Sequence, residues 1–86
     1  MKKELATYIL KLNEAAQSTK RAEDRPLYDK YLASAAVILA LVESGAKKEI
    51  VAKEIQSHEH LWGNTWLVDD SYKNPSNAWQ KVKEAL

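Results

Sequence analysis

The sequence predicts an all-α protein, a small four-helix bundle-like domain with a central apolar helix at about residues 25–44. Apolar residues recur with helical spacing along almost the whole chain. No alternating run of β-branched residues is long enough for a sheet, apart from a few residues at 66–68. The chain has 86 residues, of which 45% are hydrophobic, so we expect residues 1–86 to form a single domain around one core.

The first predicted helix covers about residues 2–18. Its apolar residues follow the i, i+3, i+4, i+7 pattern of one helix face: Leu5, Tyr8, Ile9, Leu12 and Ala16. Because an isolated helix of this length is marginally stable in water, this face must pack on other helices.

The second predicted helix is apolar on more than one side. Asp24 is a good N-cap, Pro26 suits a first turn, and Gly45 suits the left-handed position that ends a helix. One stripe contains Tyr28, Tyr31, Leu32, Ala35, Ile38, Leu39 and Val42, and the other side carries Ala36, Val37, Ala40 and Leu41. A helix that is apolar nearly all round is typically covered on several sides, so we expect it to be central.

Two further helices follow. The third is predicted from about Ala46 to Leu61, with Gly63 and Asn64 ending it, and its stripe contains Ile50, Val51, Ile55, His58 and Trp62. The fourth is predicted to begin with Asn74 as cap and Pro75 in its first turn, with Ala78, Trp79, Val82 and Leu86 on one stripe. Residues 64–73 show no clear period, and helix, strand and loop all remain open there.

The composition and charge of the chain argue against nucleic-acid binding and against membrane association. Thirteen basic and twelve acidic side chains give a formal net charge of +1, which argues against a nucleic-acid partner or an anionic membrane surface. The most apolar run, residues 33–42, is too short to span a bilayer. The absence of cysteine fits a reducing compartment, and we expect a cytoplasmic protein that does not enter the membrane.

The two histidines do not predict a metal site. His58 and His60 are two residues apart and therefore point about 200° apart on a helix, whereas helical metal ligands need a spacing of three or four. We expect His58 at the edge of the core and His60 in solvent. No nucleophile motif or glycine-rich phosphate loop is present, and the pair Asp69-Asp70 fits turn chemistry. The sequence therefore predicts neither an enzyme nor a bound metal or cofactor.

Residues 39–55 offer an alternative function. A helix, a glycine turn and a second helix with lysines resemble a helix-turn-helix, which would make the protein a DNA-binding regulator. A recognition helix here would bring Glu49, Glu54 and Glu59 towards phosphates, and these charges repel. The mixed charges favour a plain helical hairpin.

Protein binding is the favoured prediction. Aromatic side chains gather in the last third of the chain, and tryptophan and tyrosine are enriched where proteins bind each other. Trp62 and Trp79 fall on helical stripes, which favours the core, whereas Trp66 lies outside any stripe. We expect a non-catalytic protein of adaptor, inhibitor or regulatory type that binds another protein or a second copy of itself. Its candidate contact residues are Trp66, Leu67, Trp62, His58 and Tyr72.

Overall fold

The described part of the chain forms four α-helices. The computed structural model describes residues 1–20, 22–63 and 73–85, and within them α1 is Lys2–Ser18, α2 is Arg25–Glu43, α3 is Lys48–Gly63 and α4 is Lys73–Ala85. A short 3₁₀ turn, Ala22–Asp24, leads into α2. The described residues contain no strand, and the predicted all-α, four-helix class is confirmed.

The turn between α2 and α3 follows the glycine signal. Gly45 has a φ of 76°, the left-handed region that glycine adopts without steric cost. The N–H of Ala46 donates to the carbonyl of Leu41 and the N–H of Gly45 to that of Val42, at 3.0 and 3.2 Å. This is the Schellman pattern of a helix C-terminus. Because of this turn, α3 begins at Lys48, two residues later than the sequence predicts.

The two predicted N-caps differ from expectation. Asp24 directly precedes α2, but its backbone is helical and its side chain makes no cap hydrogen bond. A capping side chain requires an extended backbone, and the 3₁₀ turn removes it. Asn74 lies inside α4, which begins at Lys73. Pro75 is in the first turn of α4, as predicted, because its missing N–H has no helical partner there anyway.

The helices surround one core, and the most extensive packing is between α1 and α4, α1 and α2, and α2 and α3. Side chains from all four helices form one core: Leu5, Tyr8, Leu12, Ala15, Tyr28, Tyr31, Ala35, Ile38, Val51, Ile55, Ala78, Trp79 and Val82.

Helix α2 is covered on one side by the described helices. Its inner face, with Tyr28, Tyr31, Ala35 and Ile38, is buried. The opposite side, here named the outer face of α2, consists of Ala33, Ala36, Val37 and Ala40, all exposed. The sequence predicts that this helix is covered on several sides. Among the described residues, only its inner face and the flanks of that face are covered.

Ile50 is a second difference from the predicted stripes. It is 49% exposed, whereas Val51, Ile55 and His58 of the same predicted stripe are buried. Successive residues of a helix point 100° apart, so a helix that aims Val51 at the core turns Ile50 away.

Candidate functional site

The predicted contact residues separate into three groups. Trp66, Leu67 and Tyr72 lie outside the described residues. Trp62 belongs to α3, and its side chain is likewise outside the description. His58 is fully buried, so its side chain does not reach a surface where a partner would bind.

His58 is the centre of an aromatic cluster made of Tyr8, Tyr28, Tyr31, His58 and Trp79. The His58 ring lies 4.4 Å from Trp79 of α4, 5.3 Å from Tyr8 of α1 and 6.1 Å from Tyr31 of α2, measured between ring centroids. Tyr8 and Trp79 are 5.0 Å apart. These are the distances of favourable tilted and edge-to-face ring pairs. The cluster thus joins one ring or more from each of the four helices.

A buried hydrogen bond fixes the histidine in this cluster. The hydroxyl of Tyr8 and Nε2 of His58 are 2.5 Å apart, and the tautomer of the ring decides which of the two donates. Nδ1 of His58 is buried without a hydrogen-bond partner among the described residues. A buried polar atom without a hydrogen-bond partner carries a desolvation cost, and this cost is larger when the ring is charged. The site therefore favours the neutral form of His58.

Burial keeps His58 neutral. It lowers the pKa of the imidazole from 6.5 to about 4, because the charged form would lose its hydration, and the nearby carboxylate of Glu59 offsets part of this effect. At neutral pH the ring is therefore an uncharged member of the core.

Glu59 connects α3 to α4 at the rim of the same cluster. One of its carboxylate oxygens, Oε1, accepts hydrogen bonds from Nζ of Lys83 at 2.6 Å and from Nε1 of Trp79 at 3.3 Å. The bond from Lys83 is the main reason that the pKa of Glu59 lies below its ordinary value. Trp79 therefore packs its ring on His58 while its polar N–H reaches a surface carboxylate.

The burial of His58 keeps a substrate from reaching its ring nitrogens. A general base must come within hydrogen-bond reach of its substrate, and His58 is sealed by side chains of all four helices. No group of three or more potential metal-ligating side chains is assembled in the described ranges. Rings from all four helices meet in this cluster, which is therefore a structural junction of the fold.

Two shallow grooves are present on the described surface. One, about 290 Å³, lies between α1 and α2 and is lined by Asn13, Ala16, Gln17, Arg25, Asp29 and Leu32. The other, about 280 Å³, lies between α1 and α4 and is lined by Lys3, Glu4, Thr7, Ala78 and Lys81. Both fall at the lower limit of pockets that enclose small molecules, and charged side chains line both.

The outer face of α2 is the apolar surface that stands out. Its members follow the spacing i, i+3, i+4, i+7 of one helix face, and Val37 is 49% exposed. Leu10 of α1, 55% exposed, is also a large exposed hydrophobic residue, but exposed or half-exposed polar residues such as Asn13 and Glu14 surround it. The outer face is visible in the sequence as the second apolar side of α2. From the sequence pattern alone, however, this side is predicted to lie in the core.

The helix-turn-helix-like segment forms a helical hairpin. Helix α2 ends at Glu43 and α3 begins at Lys48, with the turn at Gly45 between them. The first two turns of α3 expose Lys48, Glu49 and Lys53 together with Ile50. This surface has mixed charge rather than the concentrated positive charge of a phosphate-binding helix.

Comparison with known proteins gives no family or relative: no protein-family model, curated protein or solved structure matches this chain. None of the helices in the described ranges is both long and apolar enough to cross a membrane.

Proposed function

We propose that this protein is a non-catalytic binding protein that contacts another protein, or a second copy of itself, through the outer face of α2. The observation that carries this proposal is an apolar helix face, centred on the 49%-exposed Val37, that the described helices leave uncovered. A contiguous exposed apolar surface commonly marks a site of protein interaction. The cytoplasmic location is part of the proposal and is supported by the cysteine-free sequence.

The rest of the molecule is consistent with a rigid support for such a surface. The inner face of α2 packs on α1 and α3, and Tyr31 reaches the aromatic cluster. A binding face on a helix that is fixed from behind loses little conformational entropy when a partner docks. Binding through a prearranged helix face is a common recognition mode.

The experiment compares two substitutions that add the same charge at exposed apolar positions. Val37→Glu places a carboxylate in the outer face of α2, and Leu10→Glu places one on the solvent side of α1. Partners are captured from the native host with tagged wild type and with both variants. We expect Val37→Glu to lose the specific partner and Leu10→Glu to keep it, because burying an unpaired charge opposes binding strongly. Equal capture by all three proteins would contradict the proposal.

DNA binding remains the alternative. It predicts an affinity that falls steeply with salt, because contacts to phosphates release counterions, whereas an apolar protein interface changes little. A titration with duplex DNA at about 50 and about 200 mM salt distinguishes the two. Tight binding with a steep salt slope, unaffected by Val37→Glu, would favour the DNA-binding regulator.

A further inference from the structure

Helix α3 is held to the rest of the bundle in two different ways. Its extensive packing is with α2. Towards its C-terminus it also meets α1 and α4, through two neighbouring side chains. His58 contacts Tyr8 and Trp79, and Glu59 binds Trp79 and Lys83. In the described part of the chain, the side-chain link from α3 to α1 and α4 therefore depends on two titratable groups.

The surroundings of the buried His58 ring are aromatic rather than acidic among the described residues. Helix α1 presents the hydroxyl of Tyr8 to it, α2 the ring of Tyr31 and α4 the ring of Trp79. The nearby carboxylate, that of Glu59, belongs to α3 itself and offsets part of the cost of charging the ring. A proton added to His58 therefore places a charge in the core that the packed helices do not neutralise.

We propose that acid releases the C-terminal end of α3 from α1 and α4, with protonation of His58 as the trigger, while α1 stays packed on α2 and α4. Moving this end of α3 outward brings the imidazolium into water. Moving α4 instead would break its packing on α1, which is among the most extensive in the described fold. Opening of a weakly held element costs less free energy than unfolding of the whole domain. The exposed Glu59–Lys83 pair adds little resistance, because surface ion pairs contribute little.

The pH range of the release follows from the two environments of the ring. Burial lowers the pKa of His58 to about 4 in the packed state, against 6.5 for a solvated imidazole. The open state binds the proton more tightly, so opening is favoured as the pH falls from 6.5 towards 4. Between pH 7 and pH 5, these two pKa values raise the equilibrium constant for opening about twentyfold. The release uncovers the sides of Tyr8 and Trp79 that His58 contacts.

Amide hydrogen exchange, measured residue by residue, tests the release. The amides of residues 59–61 lie near the end of α3, and those of Tyr8 and Leu12 lie on the buried face of α1. After correction for the intrinsic pH dependence of exchange, we expect protection at 59–61 to fall about twentyfold from pH 7 to pH 5. This protection should hardly respond to low concentrations of urea, because a local opening exposes little surface.

The amides of α1 distinguish local release from global unfolding. At each pH, protection at Tyr8 and Leu12 should exceed that at 59–61 by about tenfold or more, and it should fall as urea is added. Equal protection and equal urea dependence at both sites would overturn the proposal, since acid would then unfold the whole bundle. Protection at 59–61 without a pH response would also overturn it, because simple fraying of the helix end leaves His58 in place.

Matched substitutions identify the trigger. His58→Gln keeps a polar side chain and removes the site of protonation, so protection at 59–61 should change less than about threefold between pH 7 and pH 5. His60→Gln, at an exposed position of the same helix, should keep the full response. Glu59→Gln should also keep it, because the proton binds to His58. A full response in His58→Gln would contradict the assignment.

A fluorescence measurement does not depend on the folding of His58→Gln. The chain has three tryptophans, so Trp62→Phe/Trp66→Phe leaves Trp79 as the reporter. We expect its emission to move to longer wavelength between pH 6.5 and pH 4, as contact with His58 is lost, while the helical far-UV signal is largely retained. Emission and helical signal that change together would mean global unfolding and overturn the proposal.

Discussion

Ile38 and Val37 are neighbours in the sequence with similar β-branched side chains, yet one is fully buried and the other is 49% exposed. They represent the inner and outer faces of the same helix. The inner face closes the core of this chain, and the outer face has no cover among the described residues. The composition of an apolar helix face does not say whether it is covered by the same molecule, by a partner or by solvent.

The largest expected effect is on the inner face. Ile38→Ala removes a fully buried side chain and leaves a cavity between α2 and its neighbours. We expect the free energy of unfolding to fall by about 2–5 kcal/mol. Urea denaturation measures it, and a loss below about 1 kcal/mol would mean that the inner face is not the core.

The second expected effect is a loss of stability in acid, caused by His58 in the aromatic cluster behind the inner face. The pKa of His58 is about 4 in the folded protein and 6.5 when the ring is solvated, a difference equivalent to about 3 kcal/mol. The unfolded chain binds this proton more tightly, so the stabilisation is complete above pH 6.5 and is lost as the pH falls towards 4. We expect a loss of about 2 kcal/mol between pH 7 and pH 5, measured by urea denaturation.

Glu59 is the neighbouring titratable group at the rim of the aromatic cluster, where it meets Trp79 and Lys83. The pKa of Glu59 is below its ordinary 4.5, so its contribution is lost only at lower pH. His58→Gln should remove the pH dependence between pH 7 and 5, whereas His60→Gln, at an exposed position, should keep it. The reverse result would contradict the assignment.

The hydrogen bond inside the junction is expected to have a smaller effect. Tyr8→Phe keeps the ring and removes the hydroxyl that meets Nε2 of His58. Leaving a buried polar atom without its partner costs about 1–3 kcal/mol. A double-mutant cycle with His58→Phe isolates the pair, and a coupling near zero would show that the bond does not stabilise the fold.

The smallest effect belongs to the outer face. Val37→Ala removes two methyl groups that are half exposed and introduces a better helix former. We expect the stability of the monomer to change by less than about 0.5 kcal/mol. Denaturation at low protein concentration keeps self-association from contributing. A loss above about 1.5 kcal/mol would place Val37 in the core and remove the contrast with Ile38.

Helical periodicity is sufficient for the fold class and for most of the core. The stripes through Leu5, Tyr8 and Leu12, or through Ala78, Trp79 and Val82, each face the core as their spacing predicts. The buried face of these two helices is predicted correctly because polar residues occupy the opposite side of each helix. Gly45 is also predictable, since one residue type dominates the left-handed position.

The outer face of α2 could not be predicted in the same way. Alanine is the strongest helix former and is tolerated in both core and solvent, so Ala33, Ala36 and Ala40 fit either environment. Only the positions of neighbouring helices decide between them. The His58 junction was half predictable: its stripe placed the ring near the core, but its contacts with Tyr8 and Trp79 depend on long-range packing.

The contact between α1 and α4 has a consequence for biosynthesis. Tyr8 packs on Trp79, so α1 cannot complete its burial until α4 has been translated and has left the ribosome. At about 5–20 residues per second, the stretch between them delays that contact by several seconds. During this time the apolar stripe of α1 has only α2 and α3 to shield it, which makes the nascent chain a candidate client for chaperones. Completion of the core is then a late event, governed by the emergence of α4 from the ribosome rather than by the intrinsic speed of helix formation.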